Sequence, residues 1–219
     1  MSTISLNLDD LRKPVEFKDS FVDTLTRWII HVDPTGNQYL FNAKGEPSTL
    51  YTNLARILES SLQRPIKILE LGTWRGMSAL AFAYGFQHKD SKVVTFDIVN
   101  CIPPEYNDES ARACPQIEFK IARIQDYQHE DLKRQILSAD LVFIDVDPHD
   151  GIQELELWAM LEAIQYKGFV LWDDIHLGPG HLGKPGPGMQ YFWTQISKFR
   201  RCFDLTSIGH YSGTGLTIF

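Results

Sequence analysis

From residue 66 onward the chain alternates between short runs that are apolar on both faces and longer stretches of helical period. The short runs are IKILEL (66–71), KVVTFDI (92–98), IEFKIA (117–122), DLVFIDV (140–146) and GFVLWDDI (168–175). Between them lie a helix running through about residue 86, EDLKRQIL, IQELELWAMLEAI and GMQYFWTQISKF. Strands without a polar face, each followed by a helix, predict a parallel sheet covered on both sides, a doubly wound α/β fold. The tail, RCFDLTSIGHYSGTGLTIF, leaves no room for a helix. Its two strand-like pieces, joined through SGTG, predict an antiparallel hairpin on the edge of the sheet.

Upstream, EFKDSFVDTLTRWIIH puts Phe17, Phe21, Leu25, Trp28 and Ile29 on one helical stripe. Pro34, Gly36, Gly45 and Pro47 then mark a loop or small hairpin, and Ser48 or Thr49 caps a second helix to about residue 62. Residues 1–64 are expected to form a helical cap on the same domain as a core spanning 65–219, with the first helix either covering the pocket or joining two subunits.

With 219 residues, 43% of them hydrophobic, one domain with a substantial core is expected. A net charge of −7 without a dense basic block argues against a nucleic acid or an anionic membrane as partner. Three cysteines without a C-x-x-C pair fit free thiols in a reducing compartment, and neither a leader pattern nor a run of 18 apolar residues occurs, so a cytosolic protein is expected.

The first strand raises a chemical question, because ELGTWRG places a carboxylate, Glu70, near the end of an apolar run and two glycines, Gly72 and Gly76, around the turn that follows. Ligands of doubly wound sheets bind outside the carboxyl ends of the strands, beside the first strand. The dinucleotide signature G-x-G-x-x-G lacks its first glycine here, and a pyrophosphate would meet Glu70 instead. A cofactor with a cationic amino group suits that acid better.

ELGTWRGMSA resembles motif I of class I S-adenosylmethionine (SAM)-dependent methyltransferases, in particular metal-dependent O-methyltransferases of the catechol and macrocin (sugar) types. The resemblance runs from about residue 66 to 175 and implies a seven-stranded Rossmann-like methyltransferase fold. It implies a cofactor loop of Glu70, Gly72, Thr73, Trp74 and Gly76 around the methionine part of SAM, with Ser78 near its carboxylate. Asp97, ending the second strand, is placed to accept both ribose hydroxyls, and Gln125 and Asp126 match the family's contact with the adenine amino group.

LVFIDVD and VLWDDIH end strands expected to be neighbours, so Asp145, Asp173 and Asp174 should converge. Three carboxylates at close range need compensation; with no Lys or Arg beside them in sequence, a divalent cation is the economical source, and oxygen ligands suit Mg²⁺, Mn²⁺ or Ca²⁺. The resemblance points to the same three positions, and an acid at Asp174 leans toward the sugar-type relatives. Relatives carry a Lys or His three residues beyond the first of these aspartates; Pro148 stands there, so the following His149 is the candidate base, with His176 and His181 as competitors. Asp147 is near enough in sequence to join the cation or the acceptor.

GPGHLGKPGPG (178–188) is too rich in Gly and Pro for a helix and is either a lid or a surface connection. Trp74, Trp172, Tyr191, Phe192 and Trp193 could line an aromatic acceptor pocket, but aromatics at helix–sheet contacts are more often core, which leaves Trp74, inside the cofactor loop, as the site candidate. The expected activity is methyl transfer from SAM to a hydroxyl of a small molecule. Its rivals are a cofactor-binding protein without turnover and an NAD-dependent oxidoreductase.

Overall fold

The computed structural model describes residues 7–15, 49–74, 76–100, 116–123, 130–183 and 185–219, with the backbone alone for Leu182. The expected helix around Phe17–Ile29 and the loop after it lie outside these residues. Among the described residues the elements are α1 (Leu8–Leu11), α2 (Leu50–Leu62), β1 (Lys67–Leu71), α3 (Met77–Gly85), β2 (Lys92–Asp97), β3 (Ile117–Ile121), α4 (Glu130–Leu137), β4 (Leu141–Ile144), α5 (Ile152–Ala163), β5 (Phe169–Asp173), α6 (Met189–Ile196), β6 (Arg201–Asp204) and β7 (Thr214–Ile218).

The seven strands form one sheet in the order β3-β2-β1-β4-β5-β7-β6. β1 to β5 are parallel, whereas β7 runs antiparallel to both β5 and β6. Side chains alternate across a strand, so a strand apolar at every position feeds two cores. Ile68, Leu141, Phe143, Phe169 and Leu171 pack with α1, α2 and α3 on one face. Their neighbours Leu69, Leu71, Val142, Ile144, Val170 and Trp172 pack with α4, α5 and α6 on the other. Tyr51, Phe82 and Phe143 meet edge to face with centroids 5.2–5.8 Å apart, which pins α2 and α3 to the sheet.

Two polar ties hold the frame. Buried Glu59 of α2 accepts from the amides of Gln87 (2.7 Å) and His88 (3.1 Å) and from the Ser91 hydroxyl, so it caps the connection between α3 and β2. At the end of the chain the hairpin sits at the sheet edge, but its connection is longer than SGTG suggested. Thr214 and Gly215 already belong to β7, and the loop occupies 205–213. No helix among the described residues is long and apolar enough to cross a membrane.

Candidate active site at the strand ends

The winding reverses between β1 and β4, and the chain leaves β1 there through Gly72. The amides of Gly72 and Thr73 both donate to the Phe96 carbonyl of β2, at 2.8 and 3.1 Å, and the Asp145 amide after β4 donates to Leu71 at 2.9 Å. Gly72 is the point of closest approach: its φ is +97°, and a Cβ there would lie 1.6 Å from the Asp145 carbonyl oxygen. The turn then rises into α3, whose N-cap is Gly76 at φ 74° and whose first turn has no side-chain cap. Such a helix start leaves amides directed at an anionic group.

Glu70 is fully buried. Its Oε1 accepts from the Ser78 hydroxyl and its Oε2 from Thr95 at 2.5 Å, tying β1, β2 and the first turn of α3 together. Asp97 is oriented by amides: Trp74 donates to Oδ2 at 2.7 Å and Ile98 to Oδ1 at 2.7 Å. Carboxylate oxygens have two lone pairs each, so Asp97 retains accepting capacity toward a diol. Gln125 and Asp126 lie outside the described residues.

Beyond β4 and β5 the acidic groups gather with two histidines. His149 Nε2 lies 3.4 Å from Asp174 Oδ2, 3.4 Å from Asp147 Oδ1 and 3.9 Å from Asp145 Oδ1. His210, from the loop before β7, places Nδ1 3.3 Å from Asp173 Oδ2 and 3.4 Å from Asp174 Oδ1. Asp174 therefore belongs to two sets of potential ligand atoms, Asp145/His149/Asp174 and Asp173/Asp174/His210, each within 4.8 Å. Three of the five non-glycine residues with positive φ among those described are Trp74 (40°), His149 (53°) and Asp174 (60°), all at this rim. Left-handed backbone costs energy in such residues and tends to be kept where a side chain must be aimed.

The electrostatics of the cluster are unbalanced. Burial pushes the Asp173 carboxyl up; burial, with repulsion from Asp173 and Asp174, pushes Asp145 up, damped by solvent at a third of its side chain. Burial opposes the charged form of Asp174 as well, but hydrogen bonds from His210 and Ser212 and the charge of His149 bring it down. Burial would lower His210, and the hydrogen bonds and charges of Asp173 and Asp174 outweigh it, raising the imidazole to about 10. One imidazolium thus faces three carboxylates. Asp173 Oδ1 is buried and accepts no hydrogen bond among the described residues. Oxygen donors with raised proton affinity and an unpaired buried oxygen suit a hard dication such as Mg²⁺ or Mn²⁺.

Residues 69–175, just under half of the chain, match a family model described as "Methyltransferase domain". That stretch is similar in sequence to methyltransferase domains. No curated protein matches the chain in sequence. Among solved structures, a Podospora anserina methyltransferase bound to SAH superimposes with a TM-score of 0.60 at 16% identity, covering 97% of this chain and 92% of that one. An O-methyltransferase from Bacillus cereus in complex with SAH gives 0.60 at 18% identity over 92% of both chains. TomG, an O-methyltransferase from Streptomyces achromogenes in complex with SAM, gives 0.60 at 19% identity over 93% and 91%. At these identities the likeness is one of fold.

Several residues depart from the sequence reading. The missing positive group beside the aspartates is not missing: His210 arrives from a loop 37 and 36 positions downstream of Asp173 and Asp174, together with Ser212, whose hydroxyl donates to Asp174 Oδ1. Trp172 and Phe192 are buried in the core and meet edge to face with centroids 4.6 Å apart. Trp193 covers Gly215, and Tyr191 is exposed. His176 pairs with Asp204 at 2.9 Å away from the aspartates, whereas His181 stands with its ring 6.3 Å from that of His149. The 178–188 segment is not wholly irregular, since His181–Gly183 forms a single 3-10 turn.

Glu70 also makes the stability of the domain depend on pH. Burial pushes its carboxyl from 4.5 to about 7. A folded-state value above the unfolded one means that the native state binds the proton more tightly. The associated stability is complete below about pH 4.5 and declines until pH passes about 7. The shift corresponds to about 3 kcal/mol. Glu70→Gln, in which one of the Ser78 and Thr95 hydroxyls still donates to the amide oxygen and the other can turn to accept from the amide nitrogen, should flatten the fall in unfolding free energy between pH 5 and 8. Urea titrations of wild type and variant at both pH values, with chelator present, check this, and parallel pH dependences would refute it. Lowered groups such as Asp204 act below pH 4 and leave that window untouched.

Proposed function

We propose that the protein moves a methyl group from SAM to a hydroxyl of a small-molecule acceptor, assisted by a divalent cation held by Asp145, Asp173 and Asp174. The observation that carries this reading is the pair of overlapping ligand sets, Asp145/His149/Asp174 and Asp173/Asp174/His210, joined through Asp174 at the strand ends where doubly wound sheets bind ligands. The SAH or SAM bound in the similar folds from Podospora anserina, Bacillus cereus and Streptomyces achromogenes supports the choice of cofactor.

SAM supplies an electrophilic methyl carbon, and a dication lowers the pKa of a hydroxyl and fixes its position. The chain's own residues would do the remainder. The turn Gly72, Thr73, Trp74 and Gly76 and the open start of α3, with Ser78 in its first turn, receive the methionine carboxylate. Glu70 acts behind them by holding Ser78. Asp97, aimed by the Trp74 and Ile98 amides, accepts the ribose hydroxyls, and Gln125 and Asp126 take the adenine. His149 Nε2, beside Asp145, Asp147 and Asp174, removes the acceptor proton. Positioning and charge stabilisation at this rim account for the fall in the barrier.

The test is SAH formation from SAM with a panel of hydroxylated metabolites, with and without chelator, alongside calorimetric titration with SAM and NAD(H). Expected are SAM binding, turnover with at least one hydroxylated acceptor, and its loss on chelation with recovery on adding Mg²⁺. Turnover indifferent to chelation would remove the cation from the reading. Binding of NAD(H) in place of SAM would replace the reading with an oxidoreductase.

A further inference from the structure

The loop 205–213 is fastened over the end of β5. β7 runs antiparallel to β5 with Thr214 opposite Asp173, so the residues before Thr214 continue past the aspartates. The amides of Ile175 and His176 donate to Gly213 and Ser212 carbonyls at 3.2 and 3.0 Å, and the His210 amide donates to Thr214 Oγ1 at 2.7 Å. The His210 side chain is 3% exposed.

This placement divides the four oxygens of Asp173 and Asp174 into two pairs. His210 Nδ1 lies 2.6 Å from Ser212 Oγ, and the Ser212 hydroxyl donates to Asp174 Oδ1. The same Nδ1 lies 3.3 Å from Asp173 Oδ2 and 3.4 Å from Asp174 Oδ1. One oxygen of each aspartate is thereby engaged by the hairpin loop. The other two are Asp173 Oδ1, buried without a hydrogen bond, and Asp174 Oδ2, which faces His149 Nε2 at 3.4 Å. Consecutive residues on a strand point to opposite faces. The left-handed backbone of Asp174, at φ 60°, breaks that alternation and lets a single imidazole reach both carboxylates.

We propose that His210, acting with Ser212, is a positioning residue that clamps Asp173 Oδ2 and Asp174 Oδ1 and so presents Asp173 Oδ1 and Asp174 Oδ2 to a hard divalent cation. This rests on the reading that the rim holds such a cation. A carboxylate with one oxygen fixed cannot rotate, so its second oxygen offers one direction of approach. Outer partners that orient metal ligands in this way typically change metal affinity by roughly 10–100-fold when removed.

Mn²⁺ is the probe, with binding measured by calorimetry and by the electron paramagnetic resonance of the free ion, without SAM. His210→Ala is expected to weaken Mn²⁺ binding by roughly 10–100-fold. SAH affinity should stay within about threefold, which a general loss of structure would not spare. His210→Asn, whose amide N–H falls near the position of Nδ1, should recover most of the affinity, and Ser212→Ala should give a smaller loss. If the wild type binds Mn²⁺ and His210→Ala binds it equally well, the clamp is overturned while the cation reading stands. Failure of Asn to recover any affinity lost in the Ala variant also overturns it and makes the imidazole itself a ligand. A wild type that binds no Mn²⁺ at millimolar concentration overturns both. Should His210→Ala not fold, His210→Asn and Ser212→Ala decide: affinity near wild type for the first with a measurable loss for the second supports the clamp, and no loss in the second overturns it.

Discussion

Asp173→Ala is expected to lower methyl-transfer turnover by about 10³-fold while leaving SAH affinity within about threefold of wild type. Asp173 ends β5, is 5% exposed, and holds an oxygen with no hydrogen-bond partner among the described residues. Burial raises its carboxyl, so the charge is held at a cost in the absence of a cation. With the proposed cofactor loop on β1 unaltered, only the step proposed to need a dication should suffer; about 4 kcal/mol of lost charge stabilisation corresponds to the stated factor. Initial rates with saturating Mg²⁺ and calorimetry with SAH are the measurements. Turnover within tenfold of wild type would remove Asp173 from the cation site.

Gly72→Ala carries the largest expected effect on stability. The added Cβ would stand 1.6 Å from the Asp145 carbonyl oxygen and 2.6 Å from its carbon, and φ is +97°. No side chain can swing away, because the obstruction is backbone. The ends of β1 and β4 must part, or the turn must abandon the two hydrogen bonds that Gly72 and Thr73 make to the Phe96 carbonyl. Overpacking together with a strained φ costs upward of about 3 kcal/mol, which for a chain of this size lowers the melting temperature by about 10 °C and disrupts SAH binding with it. Gly178→Ala is the control, since nothing lies within 4 Å of its Cβ position. Thermal melts of the two variants should differ widely; a Gly72→Ala protein melting within about 2 °C of wild type would show that the turn at the reversal is not tightly constrained.

The elements themselves were legible along the chain because burial on both faces of a strand leaves a local signature. Every core strand and helix expected from residue 66 onward is present, within a few residues at its ends, and α4 occupies EDLKRQIL as read. The positions of the candidate acids were legible for the same reason: Asp97, Asp145 and Asp173 stand at or just after the ends of strands, where doubly wound sheets open. What their side chains do was less legible. Glu70 reads as a group beside a cofactor, and no pattern along the chain records that its oxygens accept from the hydroxyls of Ser78 and Thr95. Trp172, an aromatic at a helix–sheet contact and so more often core than pocket, is indeed interior, because its strand is central and both its faces are covered.

From the order of residues alone came the parallel core, its antiparallel ending and the acidic strand ends, because periodicity and glycine placement are local consequences of burial and backbone sterics. Only the tertiary structure decided which oxygens face one another and which are already engaged. His210 and Ser212 reach Asp173 and Asp174 because β7 inserts between β5 and β6 and sets Thr214 opposite Asp173. That register is fixed by pairing across the sheet, and no pattern along the chain records it.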